Sequence, residues 1–417
     1  MTSHVLRRIL WARGVRAFAN GYVSLLLPLY LYGLGMSAFR VGVIATATLL
    51  GSGVLTLAVG FHSHRFEYRA LLLMAALLMC ATGIGFAAVT DFWPLLVIAV
   101  VGTLNPSSGD VSVFLPLEHA VLSGAVSDRE RTAAFARYSL VGTWAAAIGA
   151  LFAGVPDFVL KMTSLEMKTV LQAMFVLYGL IGLATASIYY TLPRAVDTET
   201  RPPTTPLRQS KKIVYTLAAL FSLDSLGGGF VVQSMLALWL FQRFHMAAAV
   251  AGTIFFWTGV LSALSYPLAV RISRRIGLVN TMVFTHLPAN VFLVLVPFMP
   301  TLGTAIALLL ARSALSQMDV PTRSSYVMAV VPPSERAAAA SVTSVPRSLA
   351  SAAGPVFAGY LLSVSTFGWP LVVAGSLKAI YDLLLLTMFR KIRPPEETVT
   401  DRSRSETTPT AISARIE

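Results

Sequence analysis

The chain has 417 residues, of which 56% are hydrophobic and only 12% charged, and its mean hydropathy is +0.72. A soluble domain of this length needs a charged surface, so the composition excludes a soluble globular protein and points to a membrane one. The formal net charge of +13 does not indicate a nucleic-acid partner, because the basic residues sit in short loops between apolar blocks and form no stripe interleaved with aromatics.

The apolar blocks are long enough to cross roughly 30 Å of hydrocarbon as helices, and none shows the polar–apolar alternation of a membrane β-barrel. In chain order they predict twelve transmembrane helices, at 14–34, 40–61, 70–90, 94–122, 133–155, 168–191, 213–241, 247–270, 278–298, 301–329, 336–362 and 367–389. Arg7, Arg8, Arg13 and Arg16 precede or open the first helix with no small-residue cleavage site after it, so that helix is expected to be retained. Residues 192–212 are rich in Pro, Thr and charge, and the tail from 391 is rich in Ser, Thr and charge. The expected organisation is an N-terminal six-helix bundle (1–191), a cytoplasmic linker (192–212), a C-terminal six-helix bundle (213–390) and a disordered cytoplasmic tail (391–417). With a cytoplasmic start, Arg65, Arg69, Arg131, Lys211, Lys212, Arg271, Arg275 and Lys391 fall on the inside. Arg40, Lys161, Lys168 and Arg243 fall outside. This asymmetry predicts a multi-pass protein of the cell (plasma) membrane with both termini in the cytoplasm.

The two halves repeat. Pro116-Leu-Glu118 aligns with Pro321-Thr-Arg323, Glu130-Arg131 with Glu335-Arg336, and Gly149/Gly154 with Gly354/Gly359, all in one order. Arg16…Gly21-Tyr22 aligns with Asp224…Gly229-Phe230. Ordered matches at nearly one offset, split by the linker, indicate duplication, and two duplicated bundles leave a cavity between them.

The stretch Gly60…Arg65…Arg69 and its partner Arg275…Gly277 resemble the loop motif between helices 2 and 3 of the major facilitator superfamily. The run Pro321…Tyr326…Glu335-Arg336…Gly354-Pro355…Gly359 resembles that family's helices 10 and 11. The sequence departs from the loop motif at His64, where the family has aspartate, and at Val270, where it has glycine. The resemblance implies an all-α membrane fold of two pseudo-symmetric six-helix bundles, with helices 1, 4, 7 and 10 lining the cavity.

Charged residues inside a membrane segment are costly and therefore mark candidate sites. Arg312, Ser316, Asp319 and Arg323 fall on one stripe of the tenth helix, and Thr103, Ser107, Asp110, Phe114 and Glu118 on a wider stripe of the fourth. Asn20, Asp110, Asp224 and Arg312 are the candidate substrate contacts, and Asp110, Asp224 and Asp319 the candidate proton carriers. Glu118 and Arg323, at equivalent positions in the two halves, are expected to pair across them as an inner gate. Arg347 is a candidate partner of Asp319 or Asp224. Lys378 and Asp382, four apart, are expected to neutralise each other. His286 and Asn290, also four apart, read as a structural hydrogen bond. Trp93, Trp239 and Trp369 read as anchors at the membrane interface.

The sequence has no nucleotide-binding glycine loop, zinc-protease helix, paired-cysteine site or nucleophile elbow. No enzyme activity, cofactor or metal is expected. The expected function is secondary active transport of a small organic solute by alternating access in the lipid bilayer, proton-coupled and directed outward, by a monomer. The fifth helix lacks the Gly-Pro element frequent in the family's exporters; it reads Gly149-Ala-Leu-Phe-Ala-Gly154. An uptake symporter, and a sensor or scaffold of the same fold that does not transport, are the alternatives.

Overall fold

The computed structural model describes residues 2–62, 66–107, 112–126, 128–193, 207–332 and 335–390. Asp110, Arg65, most of the central linker and the tail from 391 lie outside them. Among the described residues there are sixteen α-helices and no strand. The N-terminal half holds α1 (Thr2–Gly33), α2 (Ala38–His62), α3 (Tyr68–Ala88), α4 (Phe92–Val101), α5 (Phe114–Ala125), α6 (Asp128–Phe152), α7 (Val155–Met162) and α8 (Met167–Tyr190). The C-terminal half holds α9 (Lys211–Phe230), α10 (Gln233–Phe244), α11 (Ala248–Ile276), α12 (Leu278–Leu295), α13 (Leu302–Ser316), α14 (Asp319–Val330), α15 (Arg336–Val364) and α16 (Trp369–Phe389).

Eight spans are long and apolar enough to cross a membrane: α2, α3, α6 with α7, α8, α9 with α10, α11, α12 and α16. Four further rods complete the twelve. The helices α1 and α15 carry arginines that dilute their hydropathy, while the α4–α5 and α13–α14 rods are each interrupted.

The fourth, seventh and tenth predicted helices are thus broken where the sequence reading expected continuous ones. The fourth stops at Gly102, ahead of Asn105-Pro106. The freed backbone is satisfied locally: Thr103 N–H donates to Thr82 Oγ1 at 3.2 Å and its carbonyl accepts from Tyr178 at 3.2 Å. The Pro106 carbonyl accepts from Ser234 N–H at 3.0 Å, across the two halves. The seventh breaks at Val231, after Gly227-Gly228-Gly229, where three glycines weaken the helix. The tenth breaks at Gln317–Met318. Pro321 follows four residues after Gln317 and has no amide hydrogen to bond that carbonyl. Breaks at matching places in the fourth and tenth rods extend the repeat from sequence into structure.

The halves meet mainly near the face opposite the termini. There α2 lies against α15: a Cβ on Gly42 would strike the Pro355 carbonyl oxygen and come within 3.0 Å of Gly359 Cα. Val356 N–H donates to Thr46 Oγ1 at 3.0 Å in the same contact. On the other side α6 lies against α11, with Gly252 against the Ala150 carbonyl, and Ala249 N–H donates to Asp157 at 2.8 Å. Such backbone approach requires small residues, the usual means by which membrane helices pack. The apolar core reflects the same asymmetry. One cluster runs through the N-terminal bundle into the far ends of α10, α11 and α15, whereas Val214, Phe221, Met282, Tyr326 and Leu385 form a separate cluster near the terminus-bearing face of the C-terminal bundle.

Candidate functional site

Two buried ionic clusters lie at matching positions in the halves. In the N-terminal bundle Arg16, on α1, is ion-paired with Glu118, on α5. Glu118 is wholly buried and also accepts hydrogen bonds from Tyr138 (2.5 Å) and Tyr189 (2.6 Å). The Arg16 guanidinium stacks 4.0 Å above the Phe114 ring. A buried carboxylate must have its lone pairs satisfied, and here one cation and two phenols do so.

In the C-terminal bundle the corresponding pair has the opposite polarity. Asp224, on α9, takes the place of Arg16, and Arg323, on α14, that of Glu118; they meet at 2.9 Å. Arg323 is also paired with Asp319, one helical turn back on α14. Its guanidinium lies 5.1 Å from the Phe221 ring centroid and 5.7 Å from that of Tyr381. Lys378, on α16, reaches the other oxygen of Asp224 at 2.7 Å. His286 Nε2 stands 3.8 Å from that same oxygen, and Asp382 and Asn290 complete the cluster around the imidazole.

The structure therefore brings Asp224, Asp319 and Arg323 together and holds Glu118 elsewhere. The Glu118–Arg323 pairing expected across the halves is not what this conformation contains: Glu118 is satisfied inside its own bundle and Arg323 inside the other. The expected Lys378–Asp382 neutralisation is replaced as well. Lys378 goes to Asp224, and Asp382 takes His286 and Asn290, because partners on neighbouring helices offer better geometry than the next turn of the same helix. His286 and Asn290 do hydrogen-bond, as their spacing suggested, but as part of a charged network.

Asn20 is buried on α1, one turn beyond Arg16. Arg312 lies on α13, on the other side of the break from Asp319, so the predicted stripe does not run along one continuous helix. Among the described residues the buried Nε of Arg312 has no hydrogen-bond partner. Arg347, on α15, makes no ion pair with either aspartate among the described residues.

In the loop motif, Gly60 lies in the last turn of α2, two residues before it ends at His62, and Arg69 stacks 4.8 Å from the Tyr190 ring centroid, joining α3 to α8. Arg275 is exposed at the end of α11. Gly277 has φ +87°, a left-handed conformation that lets α11 turn into α12 and that a side chain would strain. Trp93 and Trp369 are exposed, as interface anchors would be, but Trp239 is fully buried. It packs in the apolar core, with its indole against Gly368 and its ring edge-on to Phe244.

The sequence profile described as Major Facilitator Superfamily matches residues 9–316 and 217–415, covering both bundles. The chain belongs to the major facilitator superfamily. A membrane protein of Saccharomyces cerevisiae is 26% identical over 419 residues, covering 92% of this chain and 93% of its own. Among solved structures, a bacterial homolog of the human lysosomal transporter Spinster, in an inward-facing conformation, has 14% identity and a TM-score of 0.73. That match covers 94% of this chain and 98% of that one. The nucleoside transporter NupG has 12% identity and a TM-score of 0.70, over 93% and 99% of the chains. The xylose transporter XylE of E. coli, inward open, has 13% identity and a TM-score of 0.68, over 95% and 99%. At these identities the structures share the superfamily fold with this chain.

Membership places the protein among multi-pass membrane proteins whose solved relatives are transporters. Sequence reasoning singled out Glu118, Asp224, Arg323 and Asp319, because charge inside an apolar block is a visible signal, and read Arg16 only as marking the start of the first helix. It missed Tyr138 and Tyr189 as the hydroxyls that satisfy Glu118, since a tyrosine in a membrane helix carries no mark of what it bonds. It saw that Glu118 and Arg323 carry opposite charges at equivalent positions, but not that each pairs inside its own half, with Arg16 and with Asp224.

Proposed function

We propose that the protein is a secondary transporter that moves a small organic solute across the membrane by alternating access. Transport is coupled to protons and directed outward. The observation that carries this reading is the one-sided closure. Close backbone contacts seal the halves near the face opposite the termini, while the apolar cores stay separate near the terminus-bearing face. With the termini in the cytoplasm, this is an inward-facing state.

The solute site lies between the bundles at the level of the broken rods, and four residues are proposed to serve it. Asn20 supplies an amide from α1, and Arg312 a guanidinium whose buried Nε needs an acceptor, such as a carboxylate or carbonyl of the solute. Asp224 stands on the helix that must rock, and Asp110, outside the described residues, falls between α4 and α5 in the sequence. Asp110, Asp224 and Asp319 are the proposed carboxylates of proton coupling. Asp224 and Asp319 share Arg323, so movement of α14 against α9 changes the surroundings of both together. Glu118 and Arg323 act as gates within their own halves, each fixing the broken rod of its bundle to helix 1 or helix 7.

The test is flux of a panel of radiolabelled amino acids, nucleosides, sugars and organic acids into proteoliposomes, with and without an imposed pH gradient. Flux that follows the gradient, and falls at least tenfold in Arg312→Gln, supports the reading. Saturable binding of a panel member with no flux in either direction would assign the protein to the sensor alternative instead.

A further inference from the structure

Beyond the residues assigned above, the C-terminal bundle encloses a polar triad between α12 and α16. His286 and Asn290 lie one turn apart on α12 and Asp382 lies on α16, all three buried. His286 Nδ1 is 2.9 Å from Asp382 Oδ1, and Asn290 Nδ2 donates to Asp382 Oδ2 at 2.8 Å. Asn290 Nδ2 also lies 3.1 Å from His286 Nδ1.

These contacts determine where hydrogens belong. With Asp382 ionised and accepting, Nδ1 carries the hydrogen that reaches it, and the close approach of Asn290 Nδ2 to Nδ1 is a contact between two donors that both point at the carboxylate. In a neutral imidazole the other nitrogen, Nε2, then presents a bare lone pair. It faces Asp224 Oδ1, a second acceptor, at 3.8 Å. Two acceptors facing each other in a buried site repel, and a proton on Nε2 turns the contact into an attractive one.

Among the directly bonded members alone, the charges leave room for one more cation. The contacts linking Asp382, His286, Asp224, Lys378, Arg323 and Asp319 join three carboxylates to two permanent cations. An imidazolium at His286 makes three of each. The other titratable or charged neighbours are Tyr381 on α16, whose ring centroid is 6.1 Å from that of His286, and Tyr266 on α11, which lies toward Asp319. Arg312 on α13 and Arg347 on α15 lie within electrostatic reach of Asp224 without bonding to it.

We infer that His286, held by Asp382 and Asn290, is a proton-binding site of the transport cycle and exchanges its proton with Asp224. The inference rests on the transporter reading above and adds to it the residue from which the cavity-side aspartate takes its proton. Asp224 now shares its charge with Lys378 and Arg323. When α14 withdraws Arg323 and the Lys378 side chain swings off Oδ1, the freed carboxylate takes the Nε2 proton: the N–H bond breaks, an O–H bond forms on Asp224, and the imidazole is left neutral on Asp382. The reverse transfer restores the cluster when Arg323 returns. The glycines at 227–229 give α9 the freedom to bring Asp224 across the remaining gap.

The experiment uses the full-length protein in proteoliposomes on a solid-supported membrane, with protons as the only probe. A jump from about pH 8 to about pH 6 brackets the usual imidazole range near 6.5. The wild type is expected to give a transient charge displacement absent from empty liposomes. His286→Gln should abolish it. His286→Arg, which keeps a fixed positive charge in the cluster and should therefore fold, should abolish it too. Asp382→Asn should shrink it, because the imidazole loses the carboxylate that orients it toward Asp224. A wild type without the transient, or a His286→Arg protein that keeps it, overturns the proposal. Running the solute panel in parallel separates the two ideas. A transient that depends on His286 with no flux of any solute leaves the proton site standing and removes the transporter reading; flux with no transient does the opposite.

Discussion

Arg16 and Asp224 occupy equivalent places in the two repeats and carry opposite charges, as do their partners Glu118 and Arg323. Each pair is buried, so removing one member takes from the other a counter-charge that water does not replace. Glu118→Gln should therefore destabilise the protein by about 3–5 kcal/mol, read as a lower melting temperature in detergent. Arg16→Asp should cost a similar amount. The double variant Arg16→Asp/Glu118→Arg recreates in the N-terminal half the polarity that the C-terminal half already uses, and should recover much of the loss. A double variant no more stable than either single one would mean that Tyr138 and Tyr189 dictate the polarity of the first pair. The positions of these charges were legible in the sequence, because each interrupts an apolar block. Their partners were not, because a helix's own periodicity says which residues share a face and nothing about which neighbouring helix that face meets.

Elements are tied together at the terminus-bearing face by Glu335, which precedes α15. Its carboxylate accepts a hydrogen bond from the Ser210 hydroxyl and others from the backbone amides of Arg208 (3.0 Å), Gln209 (2.9 Å) and Ser210 (3.1 Å). These amides open α9, so a negative charge here also suits the helix dipole. The hydrogen bonds hold the carboxyl down to about 2, from an ordinary 4.5. A lowered value means that the clamp contributes fully above pH 4.5 and weakens as pH falls toward 2. Hydrogen exchange should find the amides of 208–210 protected from neutral pH down to about pH 4, and unprotected throughout in Glu335→Ala. Equal protection in that variant would show that the amides are held by something other than this carboxylate. The sequence shows Glu335 only as part of a Glu-Arg pair that recurs in both halves. It could not show that the partner is backbone, since amide groups are present at every position and leave no trace in residue identity.

At the scale of the whole molecule, the state of the transporter is set by backbone packing between bundles. Gly42 and Gly359 allow α2 and α15 to touch near the face opposite the termini. Gly42→Leu should force them apart and shift the population toward opening at that face. Spin labels at the exposed Ser37 and Val364 would report this by pulsed electron resonance, as a longer distance distribution than in the otherwise unchanged protein. Labelling is simplified because the single cysteine, Cys80, is buried. An unchanged distribution would show that the α6–α11 contact alone keeps that face closed.

The sequence by itself determined the membrane class, the twelve rods, the duplication and the superfamily, because each is written in quantities that accumulate along the chain: apolar length, repeat offset and motif order. It also placed charges in the spans that carry the ionic clusters. Tertiary structure alone decided that the fourth, seventh and tenth rods are interrupted, that Glu118 and Arg323 are satisfied in separate bundles, and that Lys378 leaves Asp382 to His286 and Asn290. Those outcomes depend on distances between helices remote in sequence. In a low-dielectric interior, a charge takes whichever partner the packing brings within bonding distance.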